Sequence, residues 1–276
     1  PLFTCSPDGH PVLSQSGLAY RVVYLPRGTR AHVPEGLCRL ERPVEPLSPL
    51  TQDPAASSRS MRSSAMPQPR TIHDFGGFPR ALYEAQYPAP GSPALAEHVQ
   101  TLIRQVPVQL DADWGLDHGT WSVLIRMFPQ ADIPVVQLSM DYTQPAQFHY
   151  DLAKELAPLR EQSVLILGSG NMVHNLRRVA LKGGDFRRFN EPFGFDWALE
   201  ARDLLKKLID ADDHAALIHY PELGEAVRLA VPTPDHYLPM LYTLALKQPG
   251  DALAYFNDVP LAGSLTMTSL IISQSS

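Results

Sequence analysis

Three histidines stand in settings that could carry chemistry, and each setting is different. His118 lies in Trp114-Gly115-Leu116-Asp117-His118-Gly119-Thr120-Trp121, between an acid and a glycine and bracketed by two tryptophans. Aromatic walls around one titratable group suit a flat ring, with the histidine as its acid or base. Equally, the segment can be a polar loop pinned by buried indoles. His174 follows Val164-Leu165-Ile166-Leu167 and the small-residue turn Gly168-Ser169-Gly170, flanked by Asn171 and Asn175 and followed by Arg177 and Arg178. A buried strand running into a glycine turn presents a side chain where α/β proteins bind ligands, just past the carboxyl end of a strand. The alternative is a helix-start residue whose ring nitrogens are satisfied by the two asparagines. His236 sits in Pro232-Thr233-Pro234-Asp235-His236-Tyr237-Leu238-Pro239. Three prolines stiffen that backbone, which suits a rigidly presented metal ligand or, as readily, an exposed loop.

The elements that must position these residues are legible between them. Ser92-Pro93 is an N-cap followed by a first-turn proline, opening a helix with the stripe Leu95, Val99, Leu102 and Ile103. Strands are expected at 106–110, 133–140 and 164–167, and helices at 145–156, 196–210 and 240–246. A closing strand is expected over 263–273. Alternating strands and helices without an internal repeat indicate an α/β fold, a single domain with a central mixed, mostly parallel sheet flanked by helices. Thr71–Pro79 (TIHDFGGFP) is an aromatic, glycine-rich loop suited to lining a pocket or to making a tight turn. His98 and His149 fall on helices as structural residues, and neither His214 nor His219 has neighbours that suggest chemistry.

Composition narrows the function. The 276 residues are 44% hydrophobic and 19% charged, with a net charge of −6. That balance argues against nucleic acid as a partner and favours small-molecule substrates. No segment approaches the roughly 18 apolar residues of a membrane span and no signal peptide is visible, so a cytoplasmic protein without a membrane partner is expected. Two cysteines, Cys5 and Cys38, exclude a disulfide framework or a cysteine-rich zinc module. A metal would have to rely on histidine and carboxylate.

Residues 1–64 differ from the rest. They hold both cysteines, nine prolines, nine serines and no lysine. Pro43–Ser64 has neither helical nor strand periodicity and reads as extended or disordered. The convincing strand here is 19–25. His10 and His32 read as loop residues. Were this segment unfolded, a strand of the sheet would become an open edge, and a homodimer is then expected.

Five motifs in order, TIHDFGGFP, YPAPGSPALA, GLDHGTW, SGNMVHNLR and PTPDHYLP, closely resemble the class III extradiol ring-cleavage dioxygenases, LigB-like enzymes of the 4,5-DOPA dioxygenase branch. The resemblance runs from about Ala65 onward and marks 65–276 as the catalytic domain. It implies a non-haem Fe(II) site, with zinc possible in the same place, that binds a catechol and O2 and opens the ring. By motif, His236 is a metal ligand, and His174 is a ligand or an acid/base residue at the metal. His118 contacts catechol or oxygen as a catalytic residue. One departure accompanies the match. The family begins with a strand ending in His-Gly-Ser-Pro and adds a Ser-Ala-His-Trp motif; here Thr4-Cys5-Ser6-Pro7 stands in the first place, and Arg30-Ala31-His32-Val33 only echoes the second. The break near Ala65 is what an upstream change of reading frame would produce. A relative with an incomplete metal site, acting only as a binding protein, is the alternative. A zinc hydrolase is disfavoured by the lack of an HExxH pattern.

Overall fold

The computed structural model describes residues 21–25, 61–76, 80–162, 164–184, 188–189 and 191–274. The expectations for Cys5, Cys38, His10, His32 and most of the unpatterned segment lie outside the described residues.

A five-stranded sheet in the order β3-β2-β4-β1-β5 forms the centre. Its strands are β1 (Arg21–Leu25), β2 (Met61–Ser64), β3 (Val108–Asp111), β4 (Val136–Ser139) and β5 (Leu165–Gly168). The fold is α/β and the sheet is mixed, as expected. Its balance differs from expectation: β2 and β3 pair in parallel, whereas β1–β4, β1–β5 and β2–β4 are antiparallel. Runs such as Val164–Leu167 are apolar on both faces, so they announce burial and not the direction of a neighbour. β2 lies in the stretch that looked unpatterned. Its Met61, Ser63 and Ser64 are buried and Arg62 is exposed. Two serines on the inside hide the alternation that identifies a half-buried strand.

Four helices lie close to their expected stripes, and those over 118–127 and 225–230 are additional to them. The short helix α1 (Arg80–Tyr83) precedes α2 (Pro93–Leu102), in which the Ser92 hydroxyl accepts from the Leu95 N–H and Val99 is fully buried. Such a cap stabilises a helix by about 1 kcal/mol. Next come α3 (His118–Met127), α4 (Ala146–Glu155) and α5 (Pro158–Glu161). Beyond β5 lie α6 (Asp196–Asp210), α7 (His214–Ile218), α8 (Glu225–Ala230) and α9 (Leu238–Ala245). α9 is apolar on nearly every side because it is enclosed between β5 and α4. The chain ends in β6 (Asp251–Phe256) paired antiparallel with β9 (Ser269–Gln274), and between them the small hairpin of β7 (Pro260–Leu261) and β8 (Leu265–Thr266). The expected closing strand is therefore two strands. Among the described residues no helix is long and apolar enough to cross a membrane.

Two buried polar links tie this frame together. Arg160 donates a two-pronged pair of hydrogen bonds to Asp251, at 2.8 and 3.1 Å, and a further one to the Leu246 carbonyl. It joins α5 to the terminal strands. His149 on α4 donates from Nε2 to the Asp141 carbonyl at 3.0 Å, leaving Nδ1 to accept from the Tyr242 hydroxyl of α9, also at 3.0 Å. Burial favours the neutral ring, in which both nitrogens are engaged.

Two backbones also pack closely where β5 ends. A Cβ on Gly168 would stand 2.4 Å from the Pro239 carbonyl oxygen, and one on Gly170 would stand 2.1 Å from that of His236. These glycines are required because two backbones touch.

Two outcomes are expected. Gly170→Ala must push the His236 segment away, lowering stability by about 1–3 kcal/mol in urea unfolding; an unchanged midpoint would show that the contact is dispensable. Burial pushes the His149 pKa down to about 4, outweighing the upward pull of its backbone bond to Asp141. Since the unfolded ring titrates near 6.5, the unfolded chain takes up the proton first. The stability tied to neutral His149 is complete above that value and drains as pH falls from 6.5 toward about 4, by up to ~3 kcal/mol. His149→Phe should unfold with a flatter pH dependence than wild type between about pH 7 and about pH 5.

Candidate functional site

The loop before α1 and the start of α3 build one wall. Ile72 N–H donates to the Leu116 carbonyl at 2.7 Å and Leu116 N–H to that of Arg70 at 2.8 Å, so the two segments run side by side. Trp121 is 2% exposed and its indole N–H donates to the Ile72 carbonyl at 2.8 Å. His73 donates from Nε2 to the Ala85 carbonyl at 2.9 Å. The loop is therefore held on both sides. Asp117 caps α3 by accepting from the Thr120 N–H, which leaves His118, the first residue of the helix, to face the loop.

There His118 meets Asp74. A single carboxylate oxygen of Asp74 accepts from the His118 main-chain N–H at 3.1 Å and lies 2.6 Å from ring Nδ1. Burial alone would raise the Asp74 pKa, but the hydrogen bonds and charge of His118 overcome it and hold the carboxyl below its ordinary value. Phe75 packs edge-on to the His118 ring at 5.3 Å between centroids. The aromatic neighbour of His118 is thus Phe75. Trp121 serves as a structural pin, as the reading of a loop pinned by buried indoles expects of it.

The second wall comes from β5 and the loops after it. The Ser169 hydroxyl donates to the Gly119 carbonyl at 3.0 Å, fastening the end of β5 to the first turn of α3. Downstream, His174 N–H donates to the Ala230 carbonyl at 2.8 Å, while Thr266 N–H donates to that of Val173. Asn171 spends its amide on the Thr266 carbonyl and Asn175 on that of Leu229, each at 2.7 Å. The asparagines hold the backbone, which overturns the reading in which they satisfy the His174 ring.

His236 completes the group. It is 7% exposed, so the proline-rich segment, exposed at Pro232 and Thr233, carries its histidine inward. The His174 and His236 rings stack with centroids 3.5 Å apart and planes 14° from parallel. Asp235 carries its Oδ2 3.6 Å from His236 Nε2. Burial, and then the charge His236 would bear, push His174 well below its ordinary pKa. Burial, and then the charge of His118, push His236 down to about 3. The structure thus brings His118, His174 and His236 into one electrostatic neighbourhood, with two rings neutral and the third beside a carboxylate.

Neutral imidazole is the form that binds iron or zinc, and His236 Nδ1 is buried with no hydrogen-bond partner. As one ligand it fits. The stacked pair does not fit as two. An ion about 2.1 Å from a nitrogen in the plane of one ring would lie about 3 Å off the plane of the other. Among the described residues, no group of three His, Cys, Asp or Glu converges as a metal site. The described residues therefore supply one ligand and not a complete set, and the joint ligation expected of His174 and His236 is not met in this arrangement.

Two contributors escape a reading of the sequence. Asp74 is separated from His118 by 44 positions, and its cluster reads equally as a pocket-lining loop or a tight turn. Asp235 adjoins His236 but its role depends on burial. His214, read as having no chemical neighbours, has its Nδ1 hydrogen-bonded to the Tyr150 hydroxyl at 2.6 Å, away from this group.

The chain is similar to known proteins over most of its length. Residues 61–242 match the family described as the catalytic LigB subunit of aromatic ring-opening dioxygenase. A 4,5-DOPA dioxygenase extradiol of Escherichia coli (strain K12) is 42% identical over 220 residues, 78% of either chain. One from Portulaca grandiflora is 34% identical over 206 residues, 72% of each. The crystal structure of an uncharacterized protein from Escherichia coli K12 superposes with a TM-score of 0.63 at 34% identity, covering 77% of this chain and 81% of that one. The enzyme class is accordingly that of an oxidoreductase, a dioxygenase. With the match beginning at β2 and spanning all three histidines, the chain belongs to the LigB family of extradiol, aromatic ring-opening dioxygenases.

Proposed function

We propose that the protein opens the aromatic ring of a catechol such as DOPA, with Fe(II) as its metal and zinc able to occupy the same place. The observation that supports this best is the convergence of a carboxylate-held histidine, His118, on two neutral imidazoles, His174 and His236. Ring opening needs both kinds of group. A catechol must lose its hydroxyl protons before it can give up electrons, and a histidine near neutral pKa is suited to take them. Both atoms of O2 enter the product: the ring bond beside the diol breaks, leaving an aldehyde and a carboxylate, with the ring oxidised and O2 reduced. Fe(II), which His236 would help to hold, would supply redox-active Lewis-acid chemistry there.

The chain's own residues have separable tasks. His236 is the proposed metal ligand, because its Nδ1 is buried and unpartnered. His118 is the proposed base toward the catechol hydroxyl, and Phe75 lies beside it as an apolar flank for a flat ring. His174, kept neutral by burial, is proposed as the acid/base residue on the opposite side. The partners are a catechol and O2, and the setting proposed is the cytoplasm.

A second reading is favoured by one observation, Thr4-Cys5-Ser6-Pro7 where the family has His-Gly-Ser-Pro. In it the chain is a relative with an incomplete metal site that binds without catalysis. Protein purified without oxygen, given ferrous iron and then DOPA or simple catechols, separates the two. Retention of about one iron per chain with a yellow product supports the enzyme; neither iron nor colour supports the binding protein. In an active preparation His118→Ala should lower kcat by about 10²–10⁴-fold while changing KM little. An unaltered kcat would remove His118 from the reaction.

A further inference from the structure

The carboxylate of Asp74 is placed to do more than pair with a charge. It touches His118 twice through one oxygen, at the main-chain N–H (3.1 Å) and at ring Nδ1 (2.6 Å). The side chains of His118 and Asp74 are 17% and 19% exposed, so water competes weakly for either. An ionised carboxylate can only accept. The proton between the two groups therefore belongs to Nδ1, and in the neutral ring the lone pair is on Nε2.

The surroundings make this arrangement rigid. Asp74 cannot drift, because Ile72 is bonded through its main chain to Leu116 and through its carbonyl to the Trp121 indole, and His73 is bonded to Ala85. His118 cannot turn freely either, because Phe75 stands edge-on at 5.3 Å and the main-chain contact fixes its Cα relative to the same carboxylate. Asp117, the neighbouring acid, is committed to capping α3 through the Thr120 N–H. The near acid shapes the helix and the distant one sets the ring.

Resting on the ring-opening reading above, we infer that Asp74 is the positioning residue of the site: it locks His118 as the Nδ1–H tautomer and so makes Nε2 the nitrogen that meets the substrate proton. Asp74 itself touches no reacting atom. The proton it organises moves between the catechol hydroxyl and Nε2, and no bond to Asp74 forms or breaks.

The test is nitrogen NMR on iron-free protein carrying 15N-histidine, at a pH where the ring is neutral, with His118 assigned by loss of its signals in His118→Gln. Wild type should show a protonated Nδ1 and a bare Nε2. Asp74→Ala should lose that preference and populate the Nε2–H form, whereas Asp74→Asn, whose carbonyl oxygen can still accept from Nδ1–H, should restore it. A bare Nδ1 in wild type overturns the inference, and so does an unchanged tautomer in Asp74→Ala. The wild-type result decides even if the alanine variant fails to fold. In active enzyme, Asp74→Ala should lower kcat about 10²-fold or more with KM within about twofold of wild type. The same change made in His118→Ala should lower kcat no further, since both act through one ring; an added loss there overturns the inference. Failure of wild type to cleave any catechol would count against the ring-opening reading alone, and the NMR result would still decide whether Asp74 sets the tautomer.

Discussion

The meeting of Gly170 with the carbonyl of His236 is the constraint on which the site depends. Two stretches more than sixty residues apart share a space too small for a methyl group. That closeness brings the end of β5 against the segment leading into α9, and it lets the His174 and His236 rings lie face to face. The Ser169 hydroxyl then ties the same turn to α3, so the position of His118 is referred to the same point. Distances at the centre are set by main-chain contact, which is stiffer than side-chain packing.

Around that point the site is electrically divided. On one side Asp74 is held ionised against His118, partly accessible to water. On the other, His174 and His236 are buried deeply enough to stay neutral under ordinary conditions. A low-dielectric wall facing a carboxylate-backed base suits a substrate that is an apolar ring with two hydroxyls on one edge. The same division explains why burial dominates one pair of histidines while hydrogen bonding dominates the other group.

Much of this was legible in the sequence, for identifiable reasons. Helices such as 93–102 and 196–210 carry apolar stripes, the first with a serine cap as well, and these local signals survived folding unchanged. The three histidine clusters stood out because prolines, glycines and aromatics are concentrated around them. β2 was hidden because two of its buried residues are serines, and strand direction was hidden because fully buried strands have no patterned face. The Asp74–His118 contact has no local signature at all, since it joins two loops across 44 positions. The role of Trp121 was half visible: its indole was bound to be buried, but only the hydrogen bond to Ile72 shows that it braces the loop.

The clamp on the His174 segment also has a meaning in time. Asn171 is held by the Thr266 carbonyl 95 positions later, and the Ser264 hydroxyl donates to the Asn175 carbonyl 89 positions later. A ribosome delivers the chain in order, so His118, His174 and His236 all emerge before the hairpin that holds the middle one in place. Until β7 and β8 have been made, the nascent protein has its reactive residues but not their arrangement. Maturation of the centre is thus a late event of synthesis, and an ion or substrate met earlier would find a flexible chain in place of a site.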